Sequence, residues 1–341
     1  MKDTSYKEYM TYIADDKRYD NMKYYRCGES GLKLPGVSLG LWHNFGTKAD
    51  PEKIKEMCHT AFDLGITHFD LANNYGPVPG SAEENFGKII NGDMKPYRDE
   101  MIISTKAGYE MWKGPYGNFG SRKYMLASLD QSLKRLGLEY VDIFYHHRMD
   151  PETPLEESMM ALDSAVKQGK ALYAGISNYD MKTTKKAMKI LKELKCPFII
   201  NQVRYSIFDR WIEEDGLKNF AAENGCGLIA FSPLAQGMLS NRYLNGIPDD
   251  SRIRTDGKFL TEDALTEDKM LQIRELNKMA EERGQTLAQM ALSWILKDQK
   301  IVSVIAGASN KEQIRSNVMA VNHTTFSKEE IEKIDKITNY K

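Results

Sequence analysis

The chain has 341 residues, 41% of them hydrophobic and 28% charged, values of a globular protein that exclude a disordered or membrane one. Its 47 Lys and Arg nearly cancel its 48 Asp and Glu, so nothing points to nucleic acid or an anionic membrane as partner. No apolar run approaches the ~18 residues needed to cross a bilayer.

The first 23 residues are polar and rich in Tyr, Lys and Asp, and read as an arm preceding a single domain over 24–341. The opening MKDTSYKEYM lacks an apolar secretory core. Cys27, Cys58, Cys196 and Cys226 form no CxxC and read as free thiols of a reducing cytoplasm. Tyr24 to Leu34, with Glu29-Ser30-Gly31 between two short β-like runs, reads as a hairpin.

An alternation of strands and helices follows. Val37 to Leu41 is the first strand of the series. Asp50 as N-cap and Pro51 in the first turn start a helix to Leu64, and Gly65 stops it. Ile66 to Asp70 precedes a helix at about Ala82 to Ile90, and Met101 to Thr105 ends at Lys106. A Gly- and aromatic-rich loop, Gly108 to Gly120, leads to the helix Arg122 to Leu136. Strands Tyr140 to His146, Leu172 to Ile176, Phe198 to Val203 and Leu228 to Phe231 alternate with helices Pro154 to Gln168, Asp180 to Leu194 and Gly216 to Glu223. A long loop after the seventh strand, about Ser232 to Leu265, precedes helices Glu267 to Arg283 and Thr286 to Lys297. Val302 to Ile305 is the eighth strand, followed by helices Lys311 to Val318 and Lys328 to Ile337.

Continuous apolar strands alternating with helices imply a parallel sheet covered on both faces. Eight such units predict a closed (β/α)8 TIM barrel, with an N-terminal β-hairpin and the long loop after strand seven. The rival is a doubly wound dinucleotide fold, which wants G-x-G-x-x-G between its first strand and helix. The first loop here, GLWHNFGTKAD, lacks it. Gly225-Cys226-Gly227-Leu228-Ile229-Ala230 fits the spacing but enters a strand, so no helix N-terminus follows for a pyrophosphate.

In such a barrel the active site lies at the C-terminal strand ends. Those ends are Asp70, Lys106 and His147, with Tyr75 on the loop between the first two. Singly they read as a helix cap, a solvated lysine, a structural histidine and a packing phenol. Together they fit carbonyl reduction. Tyr75, with an ordinary pKa near ~10, is protonated at neutral pH and can donate. Lys106 is expected to favour the phenolate and lower that pKa, Asp70 to hold the lysine, and His147 to orient the carbonyl. No metal is expected: His146 and His147 are adjacent on a strand and point to opposite faces. By the same alternation His147, Tyr145 and Ile143 share the barrel side, and His146 and Phe144 face the helices.

HFDLANNYG at His68–Gly76, STKAG at Ser104–Gly108, VDIFYHHR at Val141–Arg148, GISNY at Gly175–Tyr179 and IAGASNKEQIRSN at Ile305–Asn317 resemble, in order, the signatures of the aldo-keto reductases. The resemblance spans about Tyr24 to Lys336 and is strongest to a branch of bacterial reductases related to voltage-gated potassium channel β-subunits. It implies the catalytic set Asp70, Tyr75, Lys106 and His147, and NADPH/NADP+ across the barrel mouth. It implies that Ser177, Asn178 and Gln202 hold the carboxamide, that Phe231 stacks on the nicotinamide, and that Ser232, Leu234, Gln236 and Gly237 wrap the pyrophosphate. Arg242 and Arg252 match phosphate-contacting positions, and Ser309, Lys311, Gln313 and Asn317 the adenosine end. Gly40, Trp42 and Gly307 complete the implied cofactor set. Ser316 stands where the branch often has a glutamate that contacts adenine.

Two functions follow from the resemblance. One is an NADPH-dependent reductase of a small aldehyde, such as methylglyoxal or L-glyceraldehyde 3-phosphate. The other is a cofactor-holding regulatory or scaffold subunit, like the channel β-subunits. The first is favoured, because His147 stands where the channel subunits are implied to carry asparagine. Trp42, Tyr75, His147 and Arg148 are the substrate-binding candidates, with Arg148 either meeting a substrate phosphate or acting as an ion-pair partner. Trp42, Tyr109, Trp112 and Tyr116 either line the pocket or pack the loops. A homo-oligomer is expected from the arm and the branch.

Overall fold

The computed structural model describes residues 12–244, 246–248, 254 and 261–340. Strands β1 (Tyr24–Arg26) and β2 (Lys33–Pro35) form an antiparallel hairpin. The remaining strands are β3 (Val37–Gly40), β4 (His68–Asp70), β5 (Ile102–Ala107), β6 (Val141–His146), β7 (Ala171–Ser177), β8 (Phe198–Arg204), β9 (Gly227–Phe231) and β10 (Ile301–Ala306). They close as a parallel barrel in sequence order, with β10 pairing β3. This is the expected (β/α)8 barrel with its N-terminal hairpin.

Local signals place the helices that position the strands. In α1 (Pro51–Asp63) Asp50 caps the first turn by accepting from Glu52 N at 3.0 Å, and Pro51 costs nothing at a position with no intrahelical partner. Ser121 caps α3 (Arg122–Leu136) and Gly137, in the left-handed region, ends it. Burying the apolar faces of these helices against the outside of the barrel makes the main core, in which Phe69, Phe144 and Trp294 are fully buried. Here Phe144 faces the helices, as alternation along β6 requires.

A second, smaller core fills the barrel itself: Ile102, Ile143, Tyr145, Ile200, Ile229 and Ile305 pack there with Cys27 and Leu34 of the hairpin region. The hairpin therefore plugs the N-terminal end, with Glu29 N bonded to Gly225 O at 3.0 Å just before β9. Gly225 and Gly227, the glycines that open this stretch, thus lie against the plug, at the end opposite the catalytic candidates. All four cysteines are buried and free.

Residues 12–23, expected within a polar arm, lie against the barrel's own flank. Tyr12 stacks on His59 with ring centroids 3.8 Å apart and donates to Asp63 Oδ1 at 2.7 Å, and Met22 is buried. Aromatic faces spaced through a polar stretch cover apolar surface while their hydroxyls find acceptors. In the long loop after β9, short helical turns occur at Ala235–Gly237, Asn241–Tyr243 and Glu262–Ala264. Arg252 lies outside the described residues.

Candidate active site

The register of β4 and β5 sets the centre of the site. Asp70 is the partner of Ser104 across the two strands, which puts Lys106 one pleat further along the same interior face. Lys106 Nζ donates to Asp70 Oδ2 at 2.7 Å and to Leu71 O, and lies 3.4 Å from the Tyr75 hydroxyl. Both members of the ion pair are essentially without solvent exposure. Asp70 Oδ1 accepts from Ser104 Oγ at 2.8 Å and from Gln202 Nε2 at 3.0 Å. The carboxylate is therefore held by three donors, which is what makes a buried charge tolerable.

Tyr75 reaches this pair from a turn shaped by glycine. Gly76 has φ +98, and a Cβ there would stand 2.2 Å from Ser81 Oγ. The loop is tied down by Asn73, whose N bonds Lys106 O at 2.9 Å and whose Nδ2 donates to Tyr124 OH at 3.0 Å. His147 follows β6 on the barrel side. Its ring is edge-on to Tyr75 at 5.9 Å and to Tyr109 at 4.6 Å. His146 points away: its Nδ1 is 2.7 Å from Tyr179 OH, among the helices. The four catalytic candidates thus come together at one mouth, and His146 does not join them.

Burial governs the electrostatics. It pushes the Tyr75 hydroxyl well above its usual value, with the Asp70 carboxylate adding to the effect. The expected lowering by Lys106 does not prevail. Burial also pulls Lys106 down from its ordinary value, against the opposing pull of Asp70, to which it is bonded at 2.7 Å. Burial pulls His147 well below the usual histidine range, and Lys106 adds to this, so the imidazole is neutral. Its Nδ1 is buried without a hydrogen-bond partner.

The cofactor candidates form an arc from β7 to β10. Ser177 is buried at the end of β7, and Asn178 donates from Nδ2 to His147 O at 3.1 Å. Phe231 ends β9, partly buried beside the barrel-filling residues. Gln236 Nε2 donates to Ser232 Oγ at 3.1 Å, and Leu234 packs against the main core. Among the described residues eight non-glycine residues have positive φ, and four of them, Asn178, Ser232, Ala235 and Gln236, lie in this arc; Gly237 follows at φ +96. Such conformations are costly for side-chain-bearing residues and concentrate at ligand clamps. Within the loop, Ala235 N bonds Ser232 O and Gly237 N bonds Leu234 O, both at 2.9 Å, which fixes these turns.

At the far end Ser309 N and Oγ donate to Gln313 Oε1 at 2.8 and 3.2 Å. Lys311 Nζ is paired with Glu56 at 2.7 Å, and Asn317 is buried. Arg242 is half-buried, with its N bonded to Ser240 Oγ at 3.4 Å. A Cβ at Gly307 would meet nothing within 4 Å, so the chain there is open to close approach, whereas at Gly40 it would meet Ile305 Cγ2 at 2.7 Å, a packing reason for glycine. This arc fits a dinucleotide: a strained backbone cradle at its middle, amide and hydroxyl donors on both sides, and an aromatic face at the mouth.

Around the mouth, Trp42 lies 5.9 Å from the Tyr75 ring. Among the described residues Arg148 is held by neutral acceptors and makes no ion pair. Its guanidinium donates to Gly108 O at 2.9 Å and Asn118 Oδ1 at 3.0 Å, with the Tyr109 and Phe119 rings 4.3 and 4.4 Å away. Trp112 packs on Tyr124 at 5.3 Å, while Tyr116 is exposed. Reading strand ends alone missed Ser104 and His68, which stand two residues before Lys106 and Asp70. The period of a strand puts them on the same face, and that signal was available.

An eight-stranded parallel barrel plugged at one end, with a buried Asp–Lys pair touching a tyrosine at the other, defines a class. The chain belongs to the Aldo/keto reductase family, which matches residues 36–339, and is by family an oxidoreductase. It is 57% identical over 329 residues to L-glyceraldehyde 3-phosphate reductase of Escherichia coli strain K12, covering 96% of this chain and 95% of that protein. It is 35% identical over 305 residues to a probable voltage-gated potassium channel subunit beta of Arabidopsis thaliana, covering 88% and 91% of the two chains. A solved thermostable aldo-keto reductase in complex with the inhibitor epalrestat superposes with a TM-score of 0.73 at 30% identity, over 93% of this chain and all of that one.

Proposed function

We propose that this protein is an NADPH-dependent reductase of short aldehydes, with L-glyceraldehyde 3-phosphate as the first substrate to test. The substrate choice draws on the E. coli relative that bears that name. The observation that carries the reaction is the continuous line Asp70–Lys106–Tyr75, with His147 edge-on to the phenol. Bound NADPH supplies the hydride for the carbonyl carbon.

The chain's own groups do the rest. Tyr75, kept protonated by burial, gives its proton to the carbonyl oxygen. The phenolate left behind stands 3.4 Å from Lys106 Nζ, which offsets the burial that otherwise opposes ionisation. Asp70 keeps the amine aimed at the phenol. His147 is neutral, and a proton on its buried, partnerless Nδ1 would be wasted. We therefore assign the ring proton to Nε2, where it can donate to the substrate oxygen. Ser177, Asn178, Gln202 and Phe231 would hold the nicotinamide end, Ser232–Gly237 the pyrophosphate, and Arg242, Arg252, Ser309, Lys311, Gln313 and Asn317 the remainder. Arg148, engaged by two rings and two acceptors, is assigned to hold the loop that walls the pocket.

The test is loss of NADPH absorbance with a panel of phosphorylated and unphosphorylated trioses and methylglyoxal. The proposal expects turnover, greatest with L-glyceraldehyde 3-phosphate. Absence of turnover with every aldehyde, in protein that binds NADPH, would favour a cofactor-holding subunit.

A further inference from the structure

Beneath the Asp70–Lys106 pair runs a line of polar side chains that the proposed reaction leaves unused. His68 and Ser104 lie on the interior faces of β4 and β5, two residues before Asp70 and Lys106. His68 Nδ1 is 2.8 Å from Ser38 Oγ on β3, and its Nε2 is 2.9 Å from Ser104 Oγ. Ser38 Oγ is in turn 2.6 Å from Ser303 Oγ on β10. All four side chains are fully buried, in a barrel whose apolar filling is mostly isoleucine.

Counting protons gives this line a direction. A serine hydroxyl has one proton to donate. Asp70, opposite the Lys106 amine, only accepts, and the proton of Ser104 is committed to its Oδ1. Ser104 Oγ must then accept from the imidazole, which requires a hydrogen on His68 Nε2. Burial pushes His68 down to about 4, so the ring is neutral and Nδ1 carries a lone pair. That lone pair accepts from Ser38, whose proton is thereby used, and Ser303 must donate to Ser38. Every bond points the same way and ends on the carboxylate, the arrangement in which successive bonds polarise one another. The other tautomer would set two lone pairs against each other between Nε2 and Ser104.

We propose that His68 is a positioning residue of this active site: as the Nε2–H tautomer it closes a one-way hydrogen-bond chain, Ser303–Ser38–His68–Ser104–Asp70, that holds the carboxylate toward Lys106. The proposal rests on reading Asp70, Lys106 and Tyr75 as the reaction centre. It matters most with cofactor bound. Gln202, the other donor to Asp70 Oδ1, is among the residues assigned to the nicotinamide. If that amide turns to the cofactor, Ser104 and the chain behind it keep Oδ1 in place.

Two measurements test it. The full chain labelled with 15N-histidine, without cofactor, reports the ring tautomers by NMR at neutral pH, with His68 assigned by its loss in His68→Gln. A hydrogen on Nε2 and a bare Nδ1 are expected; a hydrogen on Nδ1, or on both nitrogens, overturns the proposal. Single-turnover hydride transfer with NADPH and methylglyoxal then compares variants. His68→Leu and Ser104→Ala should each be slower by about tenfold, the effect of one hydrogen bond to a charged group, with NADPH affinity within about twofold. His68→Gln, which can donate toward Ser104 and accept from Ser38, should recover most of the rate. Variants that lose melting temperature alone, at unchanged rate, would make His68 a packing residue and overturn the proposal. Ser104→Ala decides if His68→Leu does not fold. A wild type that transfers no hydride would refute the reductase reading, while the tautomer still tests the chain.

Discussion

Replacing His146 by glutamine separates the two neighbouring histidines by what each does. His146 is fully buried, hydrogen-bonded to Tyr179 at 2.7 Å, and pushed by burial from 6.5 down to about 4. Its folded-state value therefore lies below its unfolded value. Above about 6.5 neither state carries the proton, and the group adds no pH dependence. As pH falls from 6.5 toward 4 the unfolded chain takes up a proton that the folded chain refuses, and stability is lost. Below about 4 both states are protonated and the loss stops. Each pH unit inside that window costs about 1.4 kcal/mol, so between pH 7 and pH 5 this one ring removes about 2 kcal/mol. Glutamine does not titrate, so the variant should lose about 2 kcal/mol less than wild type over the same two units. Urea denaturation of both proteins at pH 7 and pH 5 measures the difference. The variant should keep kcat within about threefold, since His146 lies on the helix side of β6. Identical pH dependence would refute the burial argument, and a dead enzyme would put the strand register in error.

Three further outcomes are expected. Tyr75→Phe should cut kcat by ~10²–10⁴ and leave NADPH affinity nearly unchanged, because it removes the proposed general acid and no proposed phosphate contact; a kcat within about threefold of wild type in steady-state assays would remove Tyr75 from that role. His147→Ala should lower kcat/KM for aldehydes by about 2–4 kcal/mol in transition-state terms, read from initial rates, and normal turnover would exclude it as the oxygen donor. NADPH should bind more tightly than NADH, through charge-assisted contacts from cations such as Arg242, Arg252 and Lys311. Since Lys311 already pairs with Glu56, phosphate binding there must compete with an exposed ion pair worth little; equal dissociation constants in fluorescence titrations would reject the preference.

Much of this was legible in the chain itself. The eight apolar runs are short, local and separated by capped helices, so the barrel and the side of β6 that His147 takes follow from periodicity and from signals such as Asp50-Pro51. Asp70, Lys106 and His147 stand at strand ends, and in a parallel barrel those ends must share one mouth. The convergence of these three candidates was readable because each is set by position along a strand.

Tertiary structure decided whatever depends on who is opposite whom. Ser38 and Ser303 are 265 residues apart and meet only because β10 closes on β3. The aromatics of residues 12–23 read as a polar arm until α1 and Tyr97 offer them a face. Arg148 reads as a phosphate contact or an ion-pair partner until Tyr109 and Phe119 close on it. The sign of the Tyr75 shift likewise depended on depth, since a nearby lysine argues for a lowered pKa and only burial in the folded barrel reverses it. Sequence determines which groups a strand presents and on which side. Desolvation and long-range pairing are properties of the closed barrel, and no local pattern encodes them.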